Sequence, residues 1–245
     1  MKRPTGYTSF QYDLTPYLNI GKANVIAVRV DHSLYADSRW YSGSGIYRHV
    51  WLNVTNKVYV AQWGTFVTTP VISKDIARVN VENTILNTTS GPQNLEILSV
   101  IYSQDGKEVN RVKAVQVVPV GESSARQELL VKNPALWDVD SPVMYTSKTM
   151  LSIDGITVDE ISVPFGIRSF GFDKEKGFFL NVKNMKLKGV CIHHDGGCVG
   201  AAVPEKIWKI RLEKLKAVGC NAIRTSHNPV APELLDLCDK MGFLV

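Results

Sequence analysis

The sequence predicts a multidomain, mainly β protein whose final part opens a barrel of alternating parallel strands and helices. Between residues 58 and 164, short β-rich runs recur at even spacing and are separated by turn signals. After residue 187 the pattern changes to strand, helix, strand, helix, strand. With 245 residues and 44% hydrophobic content, the chain is long and apolar enough to bury more than one core.

The N-terminal segment, residues 6–54, alternates β-rich runs with turns. Runs at residues 10–14 and 24–30 flank a break at residues 16–21, and this pattern predicts strands and hairpins. Two packed sheets need more strands than this segment supplies. We therefore expect the chain to begin inside a domain.

The central segment predicts an immunoglobulin-like β-sandwich, because evenly spaced short strands over about a hundred residues are typical of that architecture. Asp105-Gly106 and Asp154-Gly155 are turn signals between the runs. Trp137 lies in this segment, so we interpret it as a packing residue in preference to a sugar-stacking platform. The runs include residues 58–61, 77–81, 95–102 and 112–120.

The C-terminal segment predicts the beginning of a barrel of parallel strands. Parallel strands joined by helices place every strand-to-helix loop on one rim, and sites are built on that rim. His193 and His227 each follow a predicted strand, so we expect them on the same rim. The predicted elements are a strand at residues 187–191, a helix at 204–218, a strand at 221–225, a helix from Pro232 and a strand at 243–245.

The C-terminal run of polar and apolar residues closely resembles the signature of glycoside hydrolase family 2. This family contains β-galactosidases, β-glucuronidases and β-mannosidases. Asn228 departs from the family pattern, since many members carry tyrosine there. The departure does not change the family that the chain resembles, but it leaves open which sugar is bound. The residues that carry the resemblance are Arg224, Ser226, His227, Pro229, Leu234, Leu235, Asp239 and residues 242–245.

The resemblance implies three domains, each of which agrees with the pattern in its part of the chain. Residues 1–55 would be the C-terminal part of a jelly-roll sugar-binding domain, because residues 38–48 resemble a motif near the end of that domain. Residues 56–166 would form the immunoglobulin-like sandwich. Residues 167–245 would be the N-terminal part of a (β/α)8 barrel. Only three barrel strands are predicted where eight are needed, so we expect a truncated fragment of a longer enzyme.

The resemblance implies a retaining β-glycosidase that hydrolyses terminal β-linked sugars, most similar to a β-galactosidase. Retaining glycosidases use two carboxylates about 5–5.5 Å apart. The family's two glutamates lie on later barrel strands, so the catalytic set is absent and the chain alone is expected to be inactive. We interpret Glu205, Glu213 and Glu233 as helix residues. The alternatives are a β-glucuronidase or β-mannosidase, or a non-catalytic carbohydrate-binding or structural module.

The resemblance implies that the chain contributes substrate-binding residues. His193 and His227 would contact sugar hydroxyls with Asn228 beside them, and Arg224 would support the nucleophile from beneath. Asp37 resembles an acidic residue that the jelly roll contributes to the sugar pocket. From the residues alone, a histidine at a strand end can instead bond loop backbone, and Asp37 can be a turn residue. Because His194 adjoins His193, the alignment there can shift by one position.

No cofactor is expected, although Na⁺ or Mg²⁺ occurs at the sugar site of some relatives and the sequence does not show one here. Cys191, His193, His194 and Cys198 are close in sequence but lack a C-x-x-C pair, and neighbouring residues of a strand point to opposite faces. We therefore do not expect zinc. All four cysteines suit reduced packing thiols.

The resemblance implies a carbohydrate substrate as the partner, and charge and hydropathy do not favour nucleic acid or a membrane. The formal charge of +5 comes from 28 basic and 23 acidic residues without basic blocks, and Lys183, Lys186 and Lys188 suit a solvated strand or turn. No stretch approaches the ~20 apolar residues of a membrane span, and no signal peptide is recognised. We expect a bacterial cytoplasmic or periplasmic protein and leave a homo-oligomer open.

Overall fold

A computed structural model describes residues 2–3, 6–33 and 45–245. The chain divides into two compact units. We call residues 51–188 and 239–244 the sandwich unit, and residues 1–50, 189–238 and 245 the barrel unit. Strands outnumber helices throughout the described part, which confirms the prediction of a mainly β protein.

Seven long strands in two antiparallel sheets form most of the sandwich unit. The first sheet has the order β1-β2-β5 and the second the order β4-β3-β6-β7. Buried and exposed residues alternate along β2 and β5, as expected when one face of a sheet lies on a core. The strands are β1 Val58–Ile72, β2 Ile76–Asn87, β3 Gln93–Tyr102, β4 Glu108–Val118, β5 Gly121–Lys132, β6 Tyr145–Ile153 and β7 Ile156–Phe165.

The core of the sandwich unit lies between the two sheets and contains two clusters of buried side chains. In the larger cluster, Val79 and Leu129 of the first sheet join Ile101 and Tyr145 of the second. Ile85 and Leu95 are the corresponding contacts in the other cluster. Both sheets therefore need each other to remove their apolar faces from water.

A small antiparallel hairpin sheet follows the sandwich. It consists of β8 Phe170–Asp173, β9 Gly177–Leu180 and β10 Lys183–Asn184, in the order β10-β9-β8. Leu180 packs with Trp137 and Val139 in a third buried cluster. Trp137 is 2% exposed and is therefore a packing residue, in agreement with its interpretation from the sequence.

Residues 56–168 are expected to fold on their own, because they contain both sheets and the two core clusters between them. The segment must extend to Arg168, since Ile167 is fully buried and its carbonyl oxygen accepts a hydrogen bond from the Trp137 amide at 2.9 Å. Thermal denaturation of this segment should show one cooperative transition. A broad, non-cooperative melt would contradict the expected independence.

The barrel unit contains two parallel strands, each followed by a helix. The elements are β11 Gly189–Ile192, α1 Glu205–Ala217, β12 Ala222–Thr225 and α2 Pro232–Met241, of which residues 239–241 belong to the sandwich unit. Both predicted helices are therefore present with closely similar ends. α1 has Glu205 in its first turn and Lys214 and Lys216 in its last, which suits the helix dipole. Gly219 and Gly242 have positive φ values of 85° and 73°, as expected where helices end.

Close backbone approach explains the glycine that opens β11. The parallel pairing aligns Gly189 with Ala222. A Cβ atom at position 189 would lie 2.2 Å from the Ala222 carbonyl oxygen, well inside van der Waals contact. Only glycine therefore allows the two strands to start side by side.

Two strand predictions are wrong. Among the described residues before β1, the only regular element is a 3₁₀ turn at Thr15–Tyr17, and residues 10–14 and 24–30 form no strand. Val25 is 92% exposed there, so the apolar run has neither a core to cover nor a strand to pair with. The strand predicted at residues 243–245 is reduced to a single β-bridge residue, Leu244, which packs against the Trp137 cluster, and Phe243 is buried.

No helix in the described part of the chain is long and apolar enough to cross a bilayer. None of the four cysteines forms a disulfide, and only Cys238 is fully buried. The packing role that the sequence indicated for the cysteines thus fits Cys238, whereas Cys191 and Cys198 are exposed.

Candidate functional site at the strand ends

The two parallel strands of the barrel unit end side by side. Ile192 at the end of β11 is aligned with Thr225 at the end of β12. Beyond them, the Ser226 amide donates a hydrogen bond to the Ile192 carbonyl oxygen at 3.0 Å. The loops that follow therefore leave from one edge, and they carry His193, His194 and residues 226–228.

Arg224 lies on β12 opposite Cys191 and is exposed. Its Nη1 atom lies 3.5 Å from the Ser226 hydroxyl oxygen and 3.9 Å from the Cys191 Sγ atom. Hydrogen bonds from Ser226 and then Arg224 lower the pKa of the exposed Cys191 thiol. The guanidinium is thus held over the end of the strand pair, where it can bind an anionic or strongly polar group.

The two neighbouring histidines differ in environment. His193 is exposed, whereas His194 is only 5% exposed. The Asn228 Nδ2 atom donates to the His194 Nδ1 atom at 3.3 Å, and the Tyr7 ring packs against the His194 ring edge-on with centroids 5.2 Å apart. His194 therefore joins the loop after β11 to the loop after β12. It is the direct neighbour of His193, the residue predicted from the sequence.

His194 continues the alternation that begins in β11, since Ile192 is buried, His193 exposed and His194 buried. This period of two is the sequence signal that could have identified it. Burial is the main cause that lowers the pKa of His194; Asp195 opposes the shift, and the charges of Arg48 and His193 add to it. A lowered pKa favours the neutral imidazole, whose Nδ1 lone pair can accept the hydrogen bond from Asn228.

Arg48 connects the N-terminal segment to the loop after β12. Its Nη1 atom donates to the Tyr7 carbonyl oxygen at 2.9 Å, and its Nη2 atom donates to the Pro229 carbonyl oxygen at 2.5 Å. The adjacent His49 lies 3.4 Å from the Glu233 carboxylate in the first turn of α2. Sequence reasoning missed Arg48, because no local pattern reveals which distant carbonyl groups a guanidinium will meet.

The remaining predicted site residues lie in the loop after β12 or outside the described residues. His227 is exposed and Asn228 is half-buried in the loop after β12, and the peptide bond between Ser226 and His227 is cis. Asp37 lies outside the described residues. No group of three or more histidine, cysteine, aspartate or glutamate side chains that could hold a metal is found in the described ranges.

The acidic side chains of the two helices have local partners. Glu213 lies 3.9 Å from the Lys209 ammonium group on the same helix, and Glu205 and Glu233 lie in the first turns of α1 and α2. These positions stabilise helix ends or faces. They fit the structural interpretation made from the sequence.

Comparison with known families covers most of the chain. The family model described as Glycosyl hydrolases family 2 matches residues 58–168, and the model described as Glycosyl hydrolases family 2, TIM barrel domain, matches residues 173–245. The chain belongs to glycosyl hydrolase family 2. The resemblance stated from the C-terminal signature is confirmed, and the chain is a glycoside hydrolase by family.

Relatives of this family 2 chain include both galactosidases and glucuronidases. It is 47% identical over 244 residues to a β-galactosidase, BoGH2A, of Bacteroides ovatus, covering 99% of this chain and 29% of that relative. It is 40% identical over 245 residues to a putative β-glucuronidase of Formosa agariphila, covering 100% of this chain and 23% of that one. The chain thus spans about a quarter to a third of the length of these relatives.

Solved structures give the same family. A glycosyl hydrolase family 2 member from Bacteroides cellulosilyticus matches with a TM-score of 0.92 and 40% identity, covering 95% of this chain and 32% of that one. A Bacteroides uniformis β-glucuronidase matches with a TM-score of 0.84 and 31% identity, covering 94% of this chain and 29% of that one. The fold described above is therefore that of a family 2 enzyme over these residues.

Acidification should destabilise the barrel unit through His194. The pKa of His194 is lowered by folding, so the unfolded chain binds more protons below the ordinary histidine value of 6.5. The contribution of neutral His194 to the free energy of unfolding is complete above the ordinary histidine pKa. It is lost as the pH falls through the pKa that His194 has in the folded chain. Hydrogen exchange of the β11 and β12 amides, corrected for intrinsic rates, should accelerate between pH 7.5 and pH 5.5.

The same measurement on His194→Phe should show a weaker pH dependence, because phenylalanine can retain the ring contact with Tyr7 but cannot titrate. His32→Gln serves as the matched control, since it removes an exposed histidine of the same unit. An unchanged pH dependence in His194→Phe would show that another group controls the acid response.

Proposed function

We propose that this chain is part of a retaining β-glycosidase that hydrolyses terminal β-linked sugars, with β-galactosides as the favoured substrates. The proposal is supported by the position of His193, His227 and Asn228 in the loops that follow the aligned ends of β11 and β12, with Arg224 one residue before the end of β12. The 47% identity to a β-galactosidase over nearly the whole chain supports galactose as the sugar.

We propose a distinct role for each of these side chains. The exposed His193 and His227 donate to or accept from sugar hydroxyls, and Asn228 contributes its amide beside them. Arg224 holds a catalytic carboxylate from beneath with its guanidinium. Asp37 would contact the sugar from the N-terminal segment. The two catalytic glutamates of the family are not among the carboxylates of this chain.

We further infer domain identities that agree with the family. The sheet orders β1-β2-β5 and β4-β3-β6-β7 are compatible with an immunoglobulin-like sandwich at residues 56–166. Residues 1–55 would belong to a jelly-roll domain and residues 167–245 to a (β/α)8 barrel. A homo-oligomer and a bacterial cytoplasmic or periplasmic location are proposals of the same kind.

The substrate class can be tested on the longest product of the gene that contains this chain. We expect hydrolysis of 4-nitrophenyl β-galactoside to exceed that of the corresponding β-glucuronide and β-mannoside. Proton NMR of the first-formed sugar should show the β-anomer, because a retaining mechanism passes through a covalent glycosyl-enzyme. Preference for the glucuronide would favour the function named for the relatives from Formosa agariphila and Bacteroides uniformis.

The chain by itself is expected to give no turnover of 4-nitrophenyl β-galactoside above buffer. Groups that position a sugar lack the proton transfer and the nucleophile that glycoside cleavage requires. The purified chain and its His227→Ala variant should therefore give the same background rate. Turnover that persists in His227→Ala would mean that other residues of this chain carry the chemistry. No activity in any gene product would favour a non-catalytic carbohydrate-binding module.

A further inference from the structure

We propose that Arg48 and His194 are positioning residues, which hold the loop of residues 226–231 in the arrangement that presents His227 and Asn228. We call the contacts among Tyr7, Arg48, His194 and Asn228, with the Pro229 carbonyl group, the rim clasp. The role assigned to the loop rests on the proposed sugar-binding function, whereas the clasp itself rests on contacts within the barrel unit.

Arg48 links two chain segments through one guanidinium group. Its two terminal nitrogens donate to different carbonyl oxygens, those of Tyr7 and Pro229. A planar fork of donors reaches both acceptors at once, whereas the single ammonium group of a lysine cannot reproduce this geometry. The bond to Pro229 fixes the loop directly after His227 and Asn228.

His194 provides the second attachment from the loop after β11. Its ring is buried and packs edge-on against Tyr7, which restricts rotation of the imidazole. The Asn228 amide donates to the fixed Nδ1 atom, so the orientation of the Asn228 side chain follows from that of His194. An amide nitrogen is always a donor, and therefore the His194 proton lies on Nε2.

His194 is buried, whereas His227, which it helps to position, is exposed. The Nε2 atom of His194 and the Nε atom of Arg48 are buried and have no hydrogen-bond partner among the described residues, so neither side chain faces open solvent at these atoms. His227 is exposed and directly precedes the two attached residues, Asn228 and Pro229. The pair of His49 and Glu233 adds a third link between the Arg48 segment and the start of α2.

Two substitutions of His194 test the hydrogen bond separately from the loss of the ring. Asparagine can place its amide near the position of Nδ1, whereas glutamine places its amide near the position of Nε2. Hydrogen exchange of the amides in residues 227–231 should be about five- to tenfold faster in His194→Gln, as expected for the loss of one hydrogen bond. In His194→Asn the rates should return towards those of the unchanged chain.

The side-chain amide resonances of Asn228 give a spectroscopic measure of the same contact. They should shift in His194→Gln and keep their position more closely in His194→Asn, because only asparagine retains an acceptor at the Nδ1 position. A purely structural loss of packing would affect both variants alike. Equal exchange rates and equal Asn228 shifts in the two variants would overturn the role of His194.

Arg48→Lys and Arg48→Met test the other attachment. Arg48→Met should accelerate exchange in residues 227–231, and Arg48→Lys should recover part of the protection through a single charge-assisted bond. Arg29→Met is the matched control, because the Arg29 side chain is 88% exposed and bonds only Asp31 in the described residues. Unchanged loop exchange in Arg48→Met would overturn the role of Arg48. Unaltered exchange in α1 verifies that the barrel unit of each variant is folded.

Titration with D-galactose separates the clasp from the proposed function. In the unchanged chain, galactose should shift the His227 ring resonances, and this response should weaken in His194→Gln and Arg48→Met more than in the controls. If the variants loosen the loop but galactose causes no shift in the unchanged chain, the clasp stands and the sugar-binding function is wrong. If galactose binds equally to all variants, the positioning role is wrong.

Discussion

Replacing Trp137 with alanine is expected to lower the free energy of unfolding of the sandwich unit by about 3–5 kcal/mol, the usual cost of removing a buried tryptophan. The indole packs with Val139 and Leu180. Its Nε1 atom donates to the Asp239 carbonyl oxygen at 2.7 Å, and the Arg168 guanidinium lies 4.7 Å from the ring centroid. The substitution therefore creates a cavity and leaves a carbonyl group without its donor.

The surroundings of Trp137 leave little room for relaxation. A Cβ atom at Gly166 would lie 2.8 Å from the Cβ atom of Trp137, which shows how closely the neighbouring chain approaches. Chemical denaturation followed by circular dichroism measures the change in free energy. Trp137→Phe should cost less, because it keeps most of the apolar contact and loses the indole N–H group.

Trp63→Ala is the matched control for this prediction. Trp63 is 66% exposed on β1, so the same chemical change should alter stability by about 0.5 kcal/mol or less. An equal loss of stability in Trp63→Ala and Trp137→Ala would contradict the interpretation of Trp137 as a packing residue of its buried cluster.

The second large effect concerns association through the barrel unit. The whole chain is expected to self-associate, whereas a chain that ends at Arg168 should be monomeric. In the described residues, β11 and β12 pair only with each other, so each strand has one edge without a strand neighbour. Exposed edges with apolar side chains favour pairing between molecules. Val190 on β11 is 41% exposed and contributes such a surface.

Multi-angle light scattering over a range of concentrations measures this effect. Val190→Lys should reduce association, because a charge on an edge strand disfavours pairing with another molecule. Ile76→Lys is the control, since Ile76 is also 41% exposed but lies on β2, which has a strand on each side. A monomeric whole chain at all concentrations would mean that the strand pair covers its own edges.

The order of the C-terminal elements could be read from the sequence because its signals are local. The helix predicted at residues 204–218 is Glu205–Ala217, and the strand predicted at residues 221–225 is Ala222–Thr225. Glycine after each helix and a short run of strand-forming residues depend only on near neighbours in the chain. The family signature was recognisable for the same reason, since its residues lie within one continuous stretch.

Local sequence signals gave a wrong strand prediction where strand formation depends on a pairing strand. Residues 24–30 have the composition of a strand, but a strand forms only where another strand accepts its hydrogen bonds. Among the described residues none does so. The paired strands β1 to β7 were predictable as a set because each could find a neighbour within the same segment.

At the candidate site, the sequence identified the loops, and the tertiary structure decided which side chains hold them. The loop after β12 was recognised from residues 226–229, and the parallel pairing of β11 with β12 brings it beside the histidine doublet. The alternation along β11 agrees with a buried His194 and an exposed His193, but the Tyr7 ring that packs against His194 comes from the other end of the chain. The bond from Arg48 to Pro229 joins residues 181 positions apart. Contacts of this length result from the packing of the whole unit, and no local pattern of residue types encodes them.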